Sequence, residues 1–374
     1  MMNKATLDKA LDLVFYKLMH LEAPDASMDK GTSHEDHEKG LIARDFGIEE
    51  WDWPQGVGLY GFLELQKARK NTDYDEFLMN WIKRNREFGL PSKNINTSAP
   101  FLTLFDLICR YDLPELEQMC VEHANWLVYE LPRTTDGGFE HMTSAIGDRN
   151  GVGRHPEQLW VDTLFMAVLF LGKMGAKYNN PVWLNEAVHQ YLLHIEYLYE
   201  KRTGLVYHGW NFLENGNFGG IFWCRGNSWF TYGAPAFLAA VGNSISDCDR
   251  RFIHTAWKHQ VDALLKLQSP EGLWHTVLDD ESSYLESSGS GAIAAGILLG
   301  VRSGLLDECY AEAGMKAVEG LLGQIDKDGT VLGVSAGTSA GYDADHYKNI
   351  MIMPMAYGQS LTALALIEGL YFAE

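Results

Sequence analysis

In the stretch PEQLWVDTLFMAVLFLGKMG, residues 156–175, the run after the first few residues is an apolar helix pattern with one acid in it, Asp162. Trp160 stands two residues before it, and Phe165, Met166 and Leu169 follow at helical spacing. Pro156 suits a first helical position, which puts Asp162 in the second turn of a helix, too deep to be its N-cap. Two readings are open. The carboxylate is hydrogen-bonded to a neighbouring loop, as buried acids usually are, or it is a general acid. In the second case apolar walls disfavour the charged form and raise the pKa toward neutrality, where a carboxyl can donate a proton.

A second cluster is FWCRGNSWF, residues 222–230. Arg225 and Trp229 are four apart, so on a helix both can face one way. Tryptophan planes, here Trp223 and Trp229, suit sugar faces, and an arginine fork can hold a carboxylate. The plainer reading is core aromatics with an arginine capping nearby carbonyls. WDWPQGVGLYG, residues 51–61, is again aromatic and acidic at a helix start, and YHGW, residues 207–210, places His208 in a turn. Two motifs carry less than they suggest. HEDHE, residues 34–38, lacks the HExxH spacing of a zinc helix, so His34 and His37 read as a solvated loop. GVSAG, residues 333–337, fits GxSxG, but a nucleophile elbow needs an alternating β/α chain, and none is visible.

These residues need a scaffold, and periodicity supplies about twelve helices. The spans read 5–22, 54–70, 73–88, 98–111, 114–131, 156–174, 180–200, 226–242, 249–268, 286–303, 307–325 and 352–372. Amphipathic helices alternate with several that are apolar nearly all round, such as SSGSGAIAAGILLGV. The first kind covers a core and the second lies inside one. A turn motif also recurs after the outer helices, in DGGFEHM, TGLVYHGW, EGLWHTV and DGTVLGV, with Gly138, Gly204, Gly272 and Gly329 aligned. A repeat of this length is read before any local motif. It predicts an all-α fold, an (α/α)6 barrel of six hairpins spanning 1–374 as one domain. Short β-turn segments would gather at one end, beside the pocket.

The 374 residues carry a net charge of −20, which argues against a nucleic-acid partner. No apolar run is long enough to span a membrane, and the N-terminus lacks a signal-peptide pattern. Five scattered cysteines, none in CxxC, read as reduced and mostly buried thiols of a cytoplasmic protein. No residue set has metal spacing, so no metal or cofactor is expected. A monomer or weak homodimer is expected.

In their order and spacing, six segments resemble the unsaturated glucuronyl and rhamnogalacturonyl hydrolases of glycoside hydrolase families 88 and 105, with family 105 closer. The carriers are WxxxQGxxLYG (51–61), QLWVD (158–162), TGLxYHxW (203–210), FWxRxxxW (222–229), LESSGS (285–290) and GTSAG (337–341). The resemblance implies an (α/α)6 barrel that needs no cofactor. It also implies removal of a 4,5-unsaturated uronic acid from lyase-generated, pectin or rhamnogalacturonan-type oligosaccharides. By matching position it makes Asp162 catalytic, His208 a positioner of sugar or water, Arg225 the carboxylate site and Trp229 the stacking residue. Asp52, Trp53 and His155 fall where that family lines its sugar pocket. Trp160, Trp223 and Thr338 lie in or beside the matching segments and complete the candidates. One departure is Asn96, where family 88 has a second Asp, which leaves Asp162 the only obvious acid. An ordinary glycosidase, a sugar epimerase or a non-catalytic sugar-binding protein on the same toroid are the alternatives. A second pocket acid would favour the glycosidase.

Overall fold

The computed structural model describes residues 2–21, 47–145 and 148–374; His34 and His37 of the HEDHE stretch lie outside them. Six inner helices form a ring: α2 (Trp53–Arg69), α4 (Phe101–Arg110), α6 (Leu169–Tyr178), α8 (Cys224–Val241), α10 (Ser287–Arg302) and α13 (Ala356–Gly369). Each packs on the next, and α13 closes on α2. Outside them lie α3 (Asp75–Phe88), α5 (Pro114–Tyr129), α7 (Pro181–Leu198), α9 (Asp247–Leu267), α11 (Ala311–Leu322) and the N-terminal α1 (Lys4–Met19). This is the (α/α)6 barrel that the helix alternation predicted. A short α12 (Ala344–Lys348) precedes α13 and was not anticipated.

Composition explains the layering. Every residue of α13, and all of α10 from Ser287 to Gly300, are shielded from water. Small residues let these inner helices approach: a Cβ at Gly291 would meet Leu361 O at 2.5 Å, and one at Gly296 would meet Thr231 O at 2.3 Å. The outer helices instead show one buried stripe, as α9 does with Ile253, Trp257, Val261 and Leu264.

The repeated turn needs one correction. Left-handed backbone falls at Gly137, Gly204, Gly272 and Gly329, so the first repeat aligns on Gly137 and not on Gly138. Each of these turns lies against the following outer helix. Gly204 abuts His259 O, Gly272 abuts Lys316 O and Gly329 abuts Leu13 O, at Cβ distances of 2.8, 2.4 and 2.1 Å.

Two small antiparallel pairs sit at the start of the inner helices. They join β1 (Met142–Ser144) to β2 (Val152–Arg154), and β3 (Gln158–Trp160) to β4 (Gly209–Asn211). The second pair shortens the sixth predicted helix. Residues 156–160 are a turn and a strand, with Glu157 at a φ of 59°. Val161 N–H then bonds His208 O, and only from Thr163 is the chain helical. All five thiols are free, but Cys109, Cys248 and Cys309 are exposed, against the expectation of mostly buried ones. Among the described residues no helix is long and apolar enough to cross a membrane.

Candidate active site

The inner helices all start at one end, and there the chain encloses a pocket of about 340 Å³, part of it open to solvent. Its walls are Trp53, Asn96, His141, Thr143, Trp160, Asp162, Met166, Trp223, Arg225 and Thr338. Asp162 lies just ahead of the helical turn that leads into α6, not in the second turn of a helix. Its carbonyl accepts from Phe165 N and Met166 N, and a π-helical turn, Leu164–Val168, follows. The side chain therefore stands at the positive end of a helix. Asp162 Oδ2 faces His208 Nε2 at 3.4 Å, and both atoms are buried with no hydrogen bond of good geometry.

His208 itself lies behind the pocket wall, between Trp160 and Trp223, with ring centroids 5.1 and 4.4 Å away. Its Nδ1 meets Tyr347 Oη at 2.9 Å. Trp160, on β3, is stacked on His141 at 4.0 Å and 10° and is held by a bond from Nε1 to Gln158 Oε1. Trp53 stacks on Tyr357 at 4.4 Å. Asn96 opens a single helical turn pinned by reciprocal bonds between Asn94 and Thr97. Thr338 Oγ1 is paired with His346 Nε2 at 3.0 Å.

A sequence model of Glycosyl Hydrolase Family 88 matches residues 27–373. The chain belongs to that family. It is 32% identical over 329 residues to the unsaturated rhamnogalacturonyl hydrolase YesR of Bacillus subtilis, covering 87% of this chain and 92% of the relative. The crystal structure of a possible family 105 member from Salmonella enterica matches with a TM-score of 0.90 and 34% identity, over 100% of this chain and 95% of that one. The unsaturated glucuronyl hydrolase of Bacillus sp. GL1 shares the fold, with a TM-score of 0.68 at 18% identity, over 96% of this chain and 95% of that one.

Within this family 88 glycoside hydrolase, several candidates sit elsewhere than their types suggested. Asp52 does not line the pocket. It is the N-cap of α2, accepting from Trp53 N, and its other oxygen accepts from Ser144 Oγ, tying α2 to β1. Trp229 is wholly buried, with its ring edge-on to Trp53 and 5.3 Å from Phe165, so it backs the wall and offers no free face. His155 lies one layer out, against Thr143 and Trp160.

Arg225 lines the pocket, but its fork is already engaged. Nη1 donates to Ser335 O at 2.9 Å and Nη2 to Ala336 O at 2.8 Å, with Glu286 Oε1 3.7 Å from Nη1. The guanidinium lies between the Trp223 and Tyr357 rings at 4.5 and 4.8 Å. A cation near the start of a helix opposes the helix dipole, and Glu286, the N-cap of α10, offsets it. Only Nε is buried without a partner. Ser335, the serine of GVSAG, is buried and serves Arg225 and Glu286, which leaves it no nucleophile's role.

The expected rise in the Asp162 pKa is also reversed. Burial pushes this carboxyl up, but His208 beside it, with His141 and Arg225 further off, outweighs burial and holds it below the usual carboxylate range. Residue typing missed His141, Thr143 and Met166. The repeat could have found His141: it stands four residues after Gly137, as His208 stands four after Gly204.

Proposed function

We propose that this pocket, in a single catalytic domain, removes a terminal 4,5-unsaturated uronic acid from lyase-generated oligosaccharides of the rhamnogalacturonan type. The observation that carries this reading is the acid count. Among the described residues lining the pocket, Asp162 is the one carboxylate. Ordinary glycosidases set two carboxylates about 5–9.5 Å apart. A C4=C5 enol ether asks for one group that gives a proton and then takes one. The name of the Bacillus subtilis relative supports the substrate class.

In this reading the uronate enters with its carboxylate on the unspent donors Arg225 Nε and Trp223 Nε1. Its negative charge and the expulsion of water both raise the Asp162 pKa and bring the carboxyl to its protonated form. Asp162 gives that proton to C4, and positive charge develops at C5 and the ring oxygen. Water adds to C5 and returns a proton to Asp162. The hemiketal opens to a C5 ketone, and the C1 hemiacetal so formed expels the next sugar as an alcohol. His208, 3.4 Å from the carboxylate, orients it through both proton transfers.

The test is loss of ultraviolet absorbance from the unsaturated uronate across a panel of lyase products. Loss with rhamnogalacturonan-derived products, and none with saturated uronides, is expected. Activity on saturated uronides would overturn the reading.

A further inference from the structure

We infer that Tyr347 fixes the tautomer of His208, and so decides that an N–H rather than a lone pair faces Asp162. The inference rests on the reading of Asp162 as the reacting acid, and it concerns a residue outside the pocket wall, on α12. Tyr347 is 1% exposed, so its hydroxyl has no water to fall back on. Two groups meet its oxygen. Gly341 N–H donates to it at 3.0 Å, and His208 Nδ1 lies 2.9 Å away.

Proton accounting settles the direction. A tyrosine hydroxyl has one proton to give and two lone pairs to offer. The Gly341 bond uses a lone pair. If His208 carried its proton on Nδ1, the second lone pair would be used as well. The hydroxyl proton would then be buried with no acceptor, since no other acceptor meets it among the described residues. The satisfied arrangement runs from Gly341 N–H to Tyr347 O–H to His208 Nδ1. That leaves the neutral ring its proton on Nε2, the atom 3.4 Å from Asp162 Oδ2. Neither Nε2 nor Oδ2 has another partner. The second ring nitrogen of a histidine commonly sets what the first one does.

The consequence lies in the carboxylate. Asp162 is faced by His208 from β4's approach, by His141 from the segment before β1, by Arg225 from α8 and by Tyr347 from α12. Of these, the His208 ring is the one within 4.0 Å of Oδ2, and it can present either a donor or a lone pair there without changing its charge. With the N–H in place the carboxylate is held and aimed. With the lone pair in place it is repelled. Tyr347 is thus a positioning residue, acting through His208.

The decisive readout is the ¹⁵N spectrum of the histidine rings in the wild-type enzyme at neutral pH, with His208 assigned by its loss in His208→Gln. The expected pattern is a protonated Nε2 and an unprotonated Nδ1. A protonated Nδ1 in the wild type would overturn the inference whether or not any variant folds. Tyr347→Phe, which keeps the ring packing, is expected to show mixed tautomers. Its kcat should fall about 10-fold, with KM changed by less than about 2-fold, and the carboxylate limb of its pH profile should move to higher pH. Unchanged tautomer and kcat in this variant would also overturn it. If the wild type turns over none of the lyase products, the functional reading fails while the spectrum still decides the tautomer.

Discussion

The two ends of the same six inner helices are built by opposite rules. At their starts, four buried polar atoms around one pocket are left unpaired: Asp162 Oδ2, His208 Nε2, Trp223 Nε1 and Arg225 Nε. At their finishing ends several charges are paired. Lys67 bridges Glu64 and Asp106 at 2.8 and 3.2 Å, Arg110 bonds Asp106 at 2.9 Å, and Arg302 holds Glu368 by two bonds of 2.7 Å. Cations at a helix C-terminus and acids at its start agree with the helix dipole. The finishing end follows that rule with Lys67, Arg69, Arg110 and Arg302. The starting end departs from it at Arg225. Unpaired buried polar groups cost stability, so their concentration around the pocket is where the fold gives stability up.

Substitutions at the two ends should therefore separate turnover from stability. Asp162→Asn is the largest expected effect. Turnover should fall about 10³-fold, the scale of general acid–base catalysis, while the thermal midpoint holds. Steady-state kinetics beside calorimetry checks both. A large loss of stability would move Asp162 to the scaffold side.

Arg225→Met comes next and belongs to both ends' logic. It strips the counter-charge from buried Glu286 and one donor from each of the Ser335 and Ala336 carbonyls, and should cost about 3–5 kcal/mol of stability together with activity. Arg225→Lys should recover charge but not the two separate carbonyl bonds. If denaturant unfolding finds Arg225→Met as stable as the wild type, the engaged fork described here is wrong.

Arg302→Ala, at the far end, should lose about 1–3 kcal/mol in the same assay and leave kcat and KM unchanged. A change in turnover would break the division between the ends.

The last expectation needs no substitution: a pH dependence of stability. Burial holds His123 and His141 down to a pKa of about 3 and His194 to about 4, against an ordinary 6.5. Below pH 6.5 the unfolded chain takes up protons that the folded chain refuses, so stability falls with pH from about 6.5 toward 4. Thermal melts should show a steady decline of the midpoint over that window. A flat midpoint would mean that these rings are not buried neutral.

The ring of helices was legible because its signals are local: glycine turns, alternating stripes and proline starts. The errors are non-local or turn on a choice between neighbours. Pro156 resembles a helix start, but strand pairing between Gln158–Trp160 and Gly209–Asn211 decides that segment, about fifty residues away. Gly137 and Gly138 are equally able to turn, and choosing the second hid His141 from the repeat. Arg225 was read with its neighbours Trp223 and Trp229, while its hydrogen-bond partners Ser335 and Ala336 arrive from 110 and 111 residues further on. Asp162 itself was legible as an isolated acid in an apolar run. Its low pKa was not, because His141 and His208 reach it from separate turns.

The central claim is that one carboxylate hydrates a C4=C5 bond. The most direct measurement runs the reaction in deuterium oxide and reads the product by NMR at early times. Protonation of C4 by Asp162 places one deuterium at C4, on one face only, as the bond is cleaved. Direct glycosidic hydrolysis would release the uronate with its double bond intact, and later uncatalysed ketonisation would place deuterium on both faces. Deuterium on a single face agrees with the account, and deuterium on both faces contradicts it.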